Sequence, residues 1–222
     1  AVQSLVRQGR RHEALVLVER WLDRIDLPRT TQAEAHRLAA ELLIEREDES
    51  YALELSPLLT ELCDKKPDDA RLRAMLGACH SLLKHWDEAD HCFDTALRLN
   101  PNQAAAFGWR AFSKLNRKQF DLAIADYSEA IRLDPLNPAR WNARGNVYYS
   151  HKSDYPKAIA DYSEAIRLKP TDTTYLTNRG NAYARAEEYD KALADYTESI
   201  RIDPKNPAVW NGRGTCRHND KH

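Results

Sequence analysis

The chain has 222 residues, of which 42% are hydrophobic and 30% are charged. Its 33 Lys and Arg residues are balanced by 34 Asp and Glu residues, and this argues against nucleic acid as a principal partner, because binding to phosphate backbones relies on excess positive charge. The apolar runs are shorter than the roughly 20 residues that a membrane-spanning helix needs, so we expect no membrane insertion.

Four cysteines, Cys63, Cys79, Cys92 and Cys216, occupy predicted helical positions and form no C-x-x-C pair. This pattern favours free thiols over a disulfide framework or a zinc site. We therefore expect no metal site, no cofactor and a reducing, cytoplasmic location. The periplasm is the alternative if an amino-terminal signal has been removed.

A ten-residue segment recurs three times in the second half of the chain. It reads DYSEAIRLDP from Asp126, DYSEAIRLKP from Asp161 and DYTESIRIDP from Asp195. The successive spacings are 35 and 34 residues. Self-similarity at such a period indicates a stacked repeat architecture, which we expect to form one continuous array.

Five prolines set the register of the repeats, because proline cannot continue a helix interior and so follows the last helix of a unit. They are Pro67, Pro101, Pro135, Pro170 and Pro204. In chain order, the register gives a degenerate partial repeat over 1–35, a degenerate repeat over 36–69, repeats over 70–103, 104–137, 138–172 and 173–206, and the truncated first helix of a further repeat over 207–222.

Each complete repeat is predicted to form two short amphipathic helices. In 173–206, Leu176 and Gly180 share one face of the first helix, and Ala192 and Tyr196 share one face of the second. Small residues such as Gly180 fall where two helices would cross closely.

Three segments depart from this regular pattern. Residues 9–25 read as the second helix of a unit whose first helix is cut short. In 36–69 the second helix is expected to start late or to kink at Pro57, with Ser56 as its cap. The extra residue of 138–172 is expected in the turn over 150–156, as a longer surface turn.

The residues at fixed places of each repeat resemble the tetratricopeptide repeat family. The fourth place is aromatic (Phe107, Trp141, Trp210), the eighth is small, and the eleventh is Tyr148 or Tyr183. The resemblance extends over 70–214 and is closest to a bacterial-type array. It implies an all-α, right-handed superhelical solenoid of antiparallel helix pairs, in which the first helices line a concave groove.

The resemblance also implies which side chains face this groove. The earlier units supply an apolar patch that contains Phe112 and Trp109, the expected floor of a socket. The later units supply an amide-rich wall, composed of Asn142, Asn146, Tyr149, Thr177, Asn178, Asn181, Arg185 and Asn211. A row of amides can bind the backbone of an extended peptide without dictating its sequence, so we expect a peptide or protein segment as the partner. The alternative is that these amides only solvate the groove or bond to neighbouring turns.

Some members of the family bind acidic carboxyl-terminal tails through a clamp of Lys and Asn side chains. Asn146 and Asn178 match two positions of this clamp, but Asn142 replaces a Lys, and Ala208 and Gly212 replace two cations. Without those charges the charge-assisted bonds to terminal carboxylates are missing, so we do not expect this activity.

A second pattern links the seventh and twenty-third places of the repeats. Where the seventh place is Arg, the twenty-third place of the same repeat is Asp. Where the seventh place is Leu, the twenty-third place is Leu or Cys. The Arg and Asp residues are Arg110 with Asp126, Arg144 with Asp161 and Arg179 with Asp195. Because a partly buried Arg needs an anionic partner, we expect a structural ladder of ion pairs, and the alternative is that the Arg side chains reach an acidic ligand.

The sequence carries no catalytic motif, such as G-x-S-x-G or H-E-x-x-H. We therefore expect a binding scaffold and not an enzyme. One alternative is a regulatory or substrate-recruiting segment of a larger enzyme whose catalytic domain lies outside this chain. A further alternative is a homo-oligomer that assembles through the uncapped ends of the repeat array.

Overall fold

The computed structural model describes residues 49–219, and within this range every regular element is helical. The ten helices are α1 (Glu49–Lys65), α2 (Ala70–Leu82), α3 (Trp86–Leu99), α4 (Ala104–Asn116), α5 (Phe120–Leu133), α6 (Pro138–Val147), α7 (Tyr155–Leu168), α8 (Thr173–Arg185), α9 (Tyr189–Ile202) and α10 (Pro207–Asn219). A π-helical turn, Tyr148–Lys152, follows α6. The predicted all-α class is confirmed, whereas the partial repeat over 1–35 and the helix over 9–25 lie outside the described residues.

The described helices fall into two compact units that are divided within α4, between Ser113 and Lys114. In the first unit α1 packs on α2 and α2 on α3. In the second unit each helix from α5 to α10 packs on the next, and α8 also contacts α10. No helix between residues 49 and 219 is long and apolar enough to cross a membrane.

The start of most first helices is fixed by an acidic or amide side chain two residues after the loop proline. The Oδ1 atom of Asp172 accepts a hydrogen bond from the backbone N–H of Thr174 at 3.0 Å, and that of Asn137 accepts one from Ala139 at 3.1 Å. Such a cap satisfies an amide that has no partner inside the helix. The repeated proline therefore ends one unit, and the residue two places later begins the next.

Glycine at the eighth place allows the two helices of a repeat to approach closely, as predicted. A Cβ atom on Gly145 would lie 2.8 Å from Cε1 of Tyr162, and one on Gly180 would lie 2.9 Å from Cε1 of Tyr196. Both tyrosine rings are almost fully buried in the second unit. The aromatic residue of the second helix thus fills the space that a side chain on the first helix would need.

The four cysteines are buried and unpaired with one another, in agreement with the prediction of free thiols. Burial raises the pKa of the Cys63 thiol and of the Cys79 thiol to about 12. Both side chains are therefore neutral at physiological pH and pack as small apolar groups.

Of the two expectations for Pro57, the late start of the helix is wrong, and the kink stays a prediction. Helix α1 runs without interruption from Glu49 to Lys65, and Ser56 lies inside it rather than at its cap. Proline removes the hydrogen bond to the carbonyl group four residues earlier, which here belongs to Leu53. Leu53 itself is 64% exposed, so Pro57 lies one turn after a position on the solvent side of the helix.

The expected long turn over 150–156 is also wrong, because the extra residue of this repeat is absorbed within the first helix. Helix α6 continues into the π-helical turn Tyr148–Lys152, whose wider winding accommodates one more residue. Ser153 then adopts the left-handed conformation at φ 52°, and the corresponding residues of the other repeats are Lys84, Lys118 and Glu187. The connection after Ser153 therefore has the same length in every complete repeat.

Candidate functional site

Acidic residues are absent from the first helices of the repeats after residue 69, whereas basic residues occur on both helices. The first helices α2, α4, α6, α8 and α10 contain Arg or Lys but no Asp or Glu. The second helices α3, α5, α7 and α9 contain between two and four acidic residues each. The net charge of −1 does not show this uneven distribution of acidic residues. A count of the charges in each predicted helix would have detected it from the sequence.

One Arg side chain on α6 and one on α8 each bind a buried Asp of the following helix. Arg144 donates from Nε to Oδ2 of Asp161 at 2.9 Å and from Nη2 to Oδ1 at 2.7 Å. Arg179 donates in the same way to Asp195, at 2.8 and 2.7 Å. Two parallel bonds to one carboxylate fix the geometry of a charged pair. Burial raises the pKa of Asp161, and the hydrogen bonds from Arg144 oppose that rise.

Each of these arginines also bonds to the helix of the preceding repeat. Arg144 donates from Nη1 to Oγ of Ser128 at 2.8 Å, and Arg179 donates from Nη1 to Oγ of Ser163 at 3.1 Å. These hydroxyls belong to the recurring DYSEAIR segment. The Arg side chain therefore connects three helices, and the sequence analysis missed its serine partner.

In the earliest predicted pair, Arg110 binds an aspartate of the preceding repeat. Arg110 donates from Nη1 to Oδ1 of Asp94 at 3.1 Å, and the Asp94 side chain is largely exposed. Asp126 is buried, and its pairing with Arg110 stays a prediction.

Three members of the predicted amide wall lie together on α6 and α8. Nδ2 of Asn178 donates to Oδ1 of Asn142 at 2.8 Å and lies 3.4 Å from Oδ1 of Asn146. The Tyr162 hydroxyl also donates to Oδ1 of Asn146, at 2.8 Å. The amides therefore bond to one another and to a tyrosine hydroxyl. These contacts do not decide between a peptide site and the alternative, in which the amides only solvate the groove or bond to neighbouring turns, and both stay predictions.

Asn181 repeats this arrangement one unit later. The hydroxyl of the buried Tyr196 donates to its Oδ1 atom at 2.7 Å. This bond orients the Asn181 amide, whose Nδ2 group carries two donor hydrogens. The tyrosine of the recurring segment thus sets the orientation of the amide on the first helix, in addition to filling the core.

A cleft of about 500 Å³ opens next to Asn181. Its lining includes three residues of the predicted wall, Tyr149, Asn181 and Arg185. It also includes residues that the sequence analysis did not single out for binding, namely Tyr155, Ala184, Glu187, Tyr189, Tyr196, Gly212, Thr215, Cys216 and Asn219. The cleft is therefore walled mainly by tyrosine rings and by polar groups of α8 and α10.

Tyr155 and Arg185 form the polar edge of this cleft. Nε of Arg185 donates to the Tyr155 hydroxyl at 3.3 Å, and this bond lowers the pKa of Tyr155. The rings of Tyr149 and Tyr155 lie 5.8 Å apart and are tilted by 56°. Since Glu187 also lines the cleft, charges of both signs are available to a bound side chain.

The remaining predicted residues lie outside this cleft. Trp109 and Phe112 pack against the core of the first unit, with their rings edge to face at 6.2 Å. Thr177 donates its hydroxyl to the carbonyl oxygen of Thr173, and Asn211 is exposed on α10. Within the second unit, the structure therefore brings together the amides of α6 and α8 and the cleft beside them.

Models of the tetratricopeptide repeat match residues 70–103, 110–173 and 174–206, which together exceed half of the chain. Among curated proteins, the protein SGT1 homologs of Homo sapiens and Bos taurus are 32% and 28% identical over 88 and 98 residues, or 40% and 44% of this chain. The matches span 23% and 28% of those proteins, so the chain corresponds to about a quarter of their length.

Several solved structures share the fold at low sequence identity. The carboxyl-terminal part of a repeat-containing protein from Cytophaga hutchinsonii is 22% identical with a TM-score of 0.67, over 84% of this chain and 71% of that one. YrrB, described as a tetratricopeptide repeat protein with an unusual peptide-binding site, is 17% identical with a TM-score of 0.60, over 79% and 97%. The first repeat domain of Spaghetti, bound to the HSP90 peptide SRMEEVD, is 21% identical with a TM-score of 0.52, over 54% and 94%.

The repeat period, the helix pairs with their close glycine contacts, and the three matching repeat models agree. This chain belongs to the tetratricopeptide repeat family.

Proposed function

We propose that the second unit is a protein-interaction module that binds an extended peptide or protein segment across α6, α8 and the adjoining cleft. The observation that carries the proposal is the orientation of Asn146 and Asn181 by buried tyrosine hydroxyls. Both amides are thereby prepared to donate from nitrogen, and an extended peptide supplies backbone carbonyl oxygens as acceptors.

The acid-free first helices support the same type of ligand. Carbonyl and carboxylate oxygens are attracted to a surface of N–H donors and arginines and meet no carboxylate on α6 or α8. The bidentate pairing of Arg144 and Arg179 with buried aspartates directs those cations into the scaffold. Affinity would therefore come chiefly from neutral amides and from the cleft.

The cleft would accept one anchoring side chain of the bound segment. Tyrosine rings give a large apolar contact area with polar tips, which suits an aromatic or aliphatic side chain that enters from water. The Arg185 guanidinium and the Glu187 carboxylate at its border would orient polar groups next to that side chain.

Two solved structures of the same fold are described as binding peptides, and this supports peptide binding as the general activity. We do not extend the acidic-tail clamp to this chain. Asn142 stands in place of one clamp Lys, and Ala208 and Gly212 stand in place of two cations. We also propose a reducing compartment such as the cytoplasm, which the four free thiols support.

The experiment is to select ligands from a random peptide display library and to measure their dissociation constants by fluorescence anisotropy. Replacing Asn146, Asn178 and Asn181 together by Ala should weaken the selected peptides by roughly tenfold or more, since each lost hydrogen bond contributes about 0.5–1.5 kcal/mol. Asn102→Ala, on an exposed loop of the first unit, is the matched control and should bind as the parent does. Equal affinity of parent and triple variant would refute this site.

A further inference from the structure

Asn146 and Asn181 occupy the same place, the ninth, in two successive repeats. Each accepts a hydrogen bond at Oδ1 from a buried tyrosine hydroxyl of its own repeat, at 2.8 and 2.7 Å. Asn146 is exposed and Asn181 is partly exposed, so a ligand can reach both side chains. The two amides are therefore equivalent groups that are held by equivalent bonds and separated by one repeat.

The helices that carry these two amides are direct neighbours. Nδ2 of Asn178 on α8 donates to Oδ1 of Asn142 on α6 at 2.8 Å, so the side chains of the two helices are in contact. The axes of helices that pack against one another lie about 8–10 Å apart. Side chains at equal places of α6 and α8 are therefore separated by about the same distance.

A polyproline II segment has a backbone period that matches this spacing. It rises by about 3.1 Å per residue with about three residues per turn, so that groups on one side recur about every 9 Å. Groups on one side of a β-strand recur after two residues, or about every 7 Å. A polyproline II backbone can therefore present one carbonyl oxygen to each amide, whereas a β-strand falls out of step.

The cleft beside Asn181 offers rigid aromatic surfaces to such a segment. The rings of Tyr149 and Tyr155 lie 5.8 Å apart and are tilted by 56°. Tyr155 is held by Arg185, whose Nε donates to its hydroxyl at 3.3 Å and whose guanidinium carbon lies 5.8 Å from its ring centroid. Aromatic-lined grooves suit polyproline II ligands, because the ligand is already ordered and loses little conformational entropy on binding.

The cleft lies on the side of α10 that faces the preceding repeat. On α8 the thirteenth place is Arg185, which bonds to Tyr155 of the repeat before it. On α10 the same place is Asn219, and Asn219 lines the cleft. The face that a second helix covers in the complete repeats contains Gly214, which does not line the cleft. The cleft is therefore formed between repeats that this chain contains, and not at the open face of α10.

We propose that the ligand of the second unit is a proline-rich segment in the polyproline II conformation. Its backbone carbonyl groups would accept hydrogen bonds from Asn146 and Asn181, and one proline ring would pack on the tyrosine rings of the cleft. Proline suits this surface because it has no backbone N–H, so a proline-rich segment offers the amides acceptors and few competing donors. The inference rests on the peptide-binding function proposed above and names the class of its ligand.

The test compares two labelled peptides of identical composition. One is decaproline, which adopts the polyproline II helix, and the other alternates L-proline with D-proline and cannot form that helix. Binding of each peptide to the parent chain is followed by fluorescence anisotropy. We expect decaproline to bind saturably and the alternating peptide to bind more weakly by roughly tenfold or more, because only decaproline carries the matching period.

Variants of the chain test the assigned contacts. Asn146→Ala and Asn181→Ala should each weaken decaproline by roughly two- to tenfold, because each removes one hydrogen bond. Tyr155→Ala should weaken it by a similar factor, because it removes one wall of the aromatic surface. Asn102→Ala, on an exposed loop of the first unit, is the control and should bind as the parent does. Thermal unfolding of each variant shows whether the second unit remains folded.

The outcomes separate this inference from the proposed function. Equal affinity for the two proline peptides would overturn the polyproline II ligand. Absence of decaproline binding would also overturn it, and the peptide site itself would stand if library peptides still bind and still lose affinity when Asn146, Asn178 and Asn181 are replaced together. Failure of decaproline and of every library peptide would refute the proposed function and this inference with it.

Discussion

At the scale of single residues, Arg at the seventh place is the main polar connector of the second unit. The Arg144 side chain is 18% exposed and that of Asp161 is 5% exposed, so this ion pair is shielded from water. Removal of one partner from such a pair leaves a buried charge without compensation, and this costs more than the pair itself contributes.

Asp161→Ala should therefore lower the free energy of unfolding by about 3–5 kcal/mol, measured by urea denaturation. Asp94→Ala is the control, because Asp94 is 72% exposed beside Arg110 and such a surface pair contributes only about 0–1 kcal/mol. Similar losses in the two variants would mean that burial does not strengthen the Arg144 pair.

The cap at Asp172 gives a prediction about pH. Burial tends to raise the pKa of Asp172, but hydrogen bonds from Lys169 and Thr174 outweigh it, so that its pKa lies below the ordinary value of 3.8. A carboxyl whose pKa is lowered by folding stabilises the fold above its unfolded pKa, and this contribution is lost as the pH falls through the folded pKa.

Asp172→Asn keeps a side chain that can cap the helix, as Asn137 does for α6, and removes only the charge. The variant should be less stable than the parent by about 0.2–1 kcal/mol at neutral pH, and the difference should disappear below the folded pKa. Urea unfolding at a series of pH values measures this, and a difference that stays constant into acid would contradict the assigned role of the charge.

At the scale of helices, the crossing at the eighth place decides how closely the two helices of a repeat approach. Gly145 and Gly214 occupy the same place in two different repeats, but what lies opposite them differs. Tyr162 lies against Gly145, whereas Gly214 faces open space. They are therefore a matched pair for measuring the crossing.

Gly145→Ala should destabilise the chain by about 1–3 kcal/mol, because its Cβ atom would overlap a buried ring. Gly214→Ala should instead stabilise it by about 0.5–1 kcal/mol, because alanine favours an exposed helix interior over glycine. Thermal and urea unfolding of the two variants would show opposite signs. A gain in stability for both would mean that Tyr162 moves aside at little cost.

The π-helical turn after α6 could not be predicted from the sequence. The spacing of the prolines shows that this repeat has one extra residue. It does not show where that residue lies, because an insertion in a loop and a wider helical turn lengthen the distance between prolines equally. Two contacts accompany the π-helical turn: the His151 ring stacks on Phe120 at 4.1 Å, and Lys152 pairs with Asp121. Both partners lie on α5, and only the folded chain brings them near.

At the scale of the whole molecule, the repeat period predicts the helix pairs and their family because each unit uses the same few packing residues. The seventh and twenty-third places could be paired from the sequence because their residue types switch together. The serine partner of Arg144 and the tyrosine partner of Asn146 could not, since both contacts join different helices through side chains that vary little along the repeats. The cleft likewise depends on residues from several helices that no local pattern connects.

In the proposed function, tyrosine-oriented amides of the second unit bind an extended peptide. Its most direct test is nuclear magnetic resonance of the side-chain amide groups during titration with a peptide selected from the random library. The Nδ2 signals of Asn146 and Asn181 should shift with the same saturation curve, while that of Asn102 should stay in place. Saturable binding that leaves the Asn146 and Asn181 signals unchanged would contradict the claim.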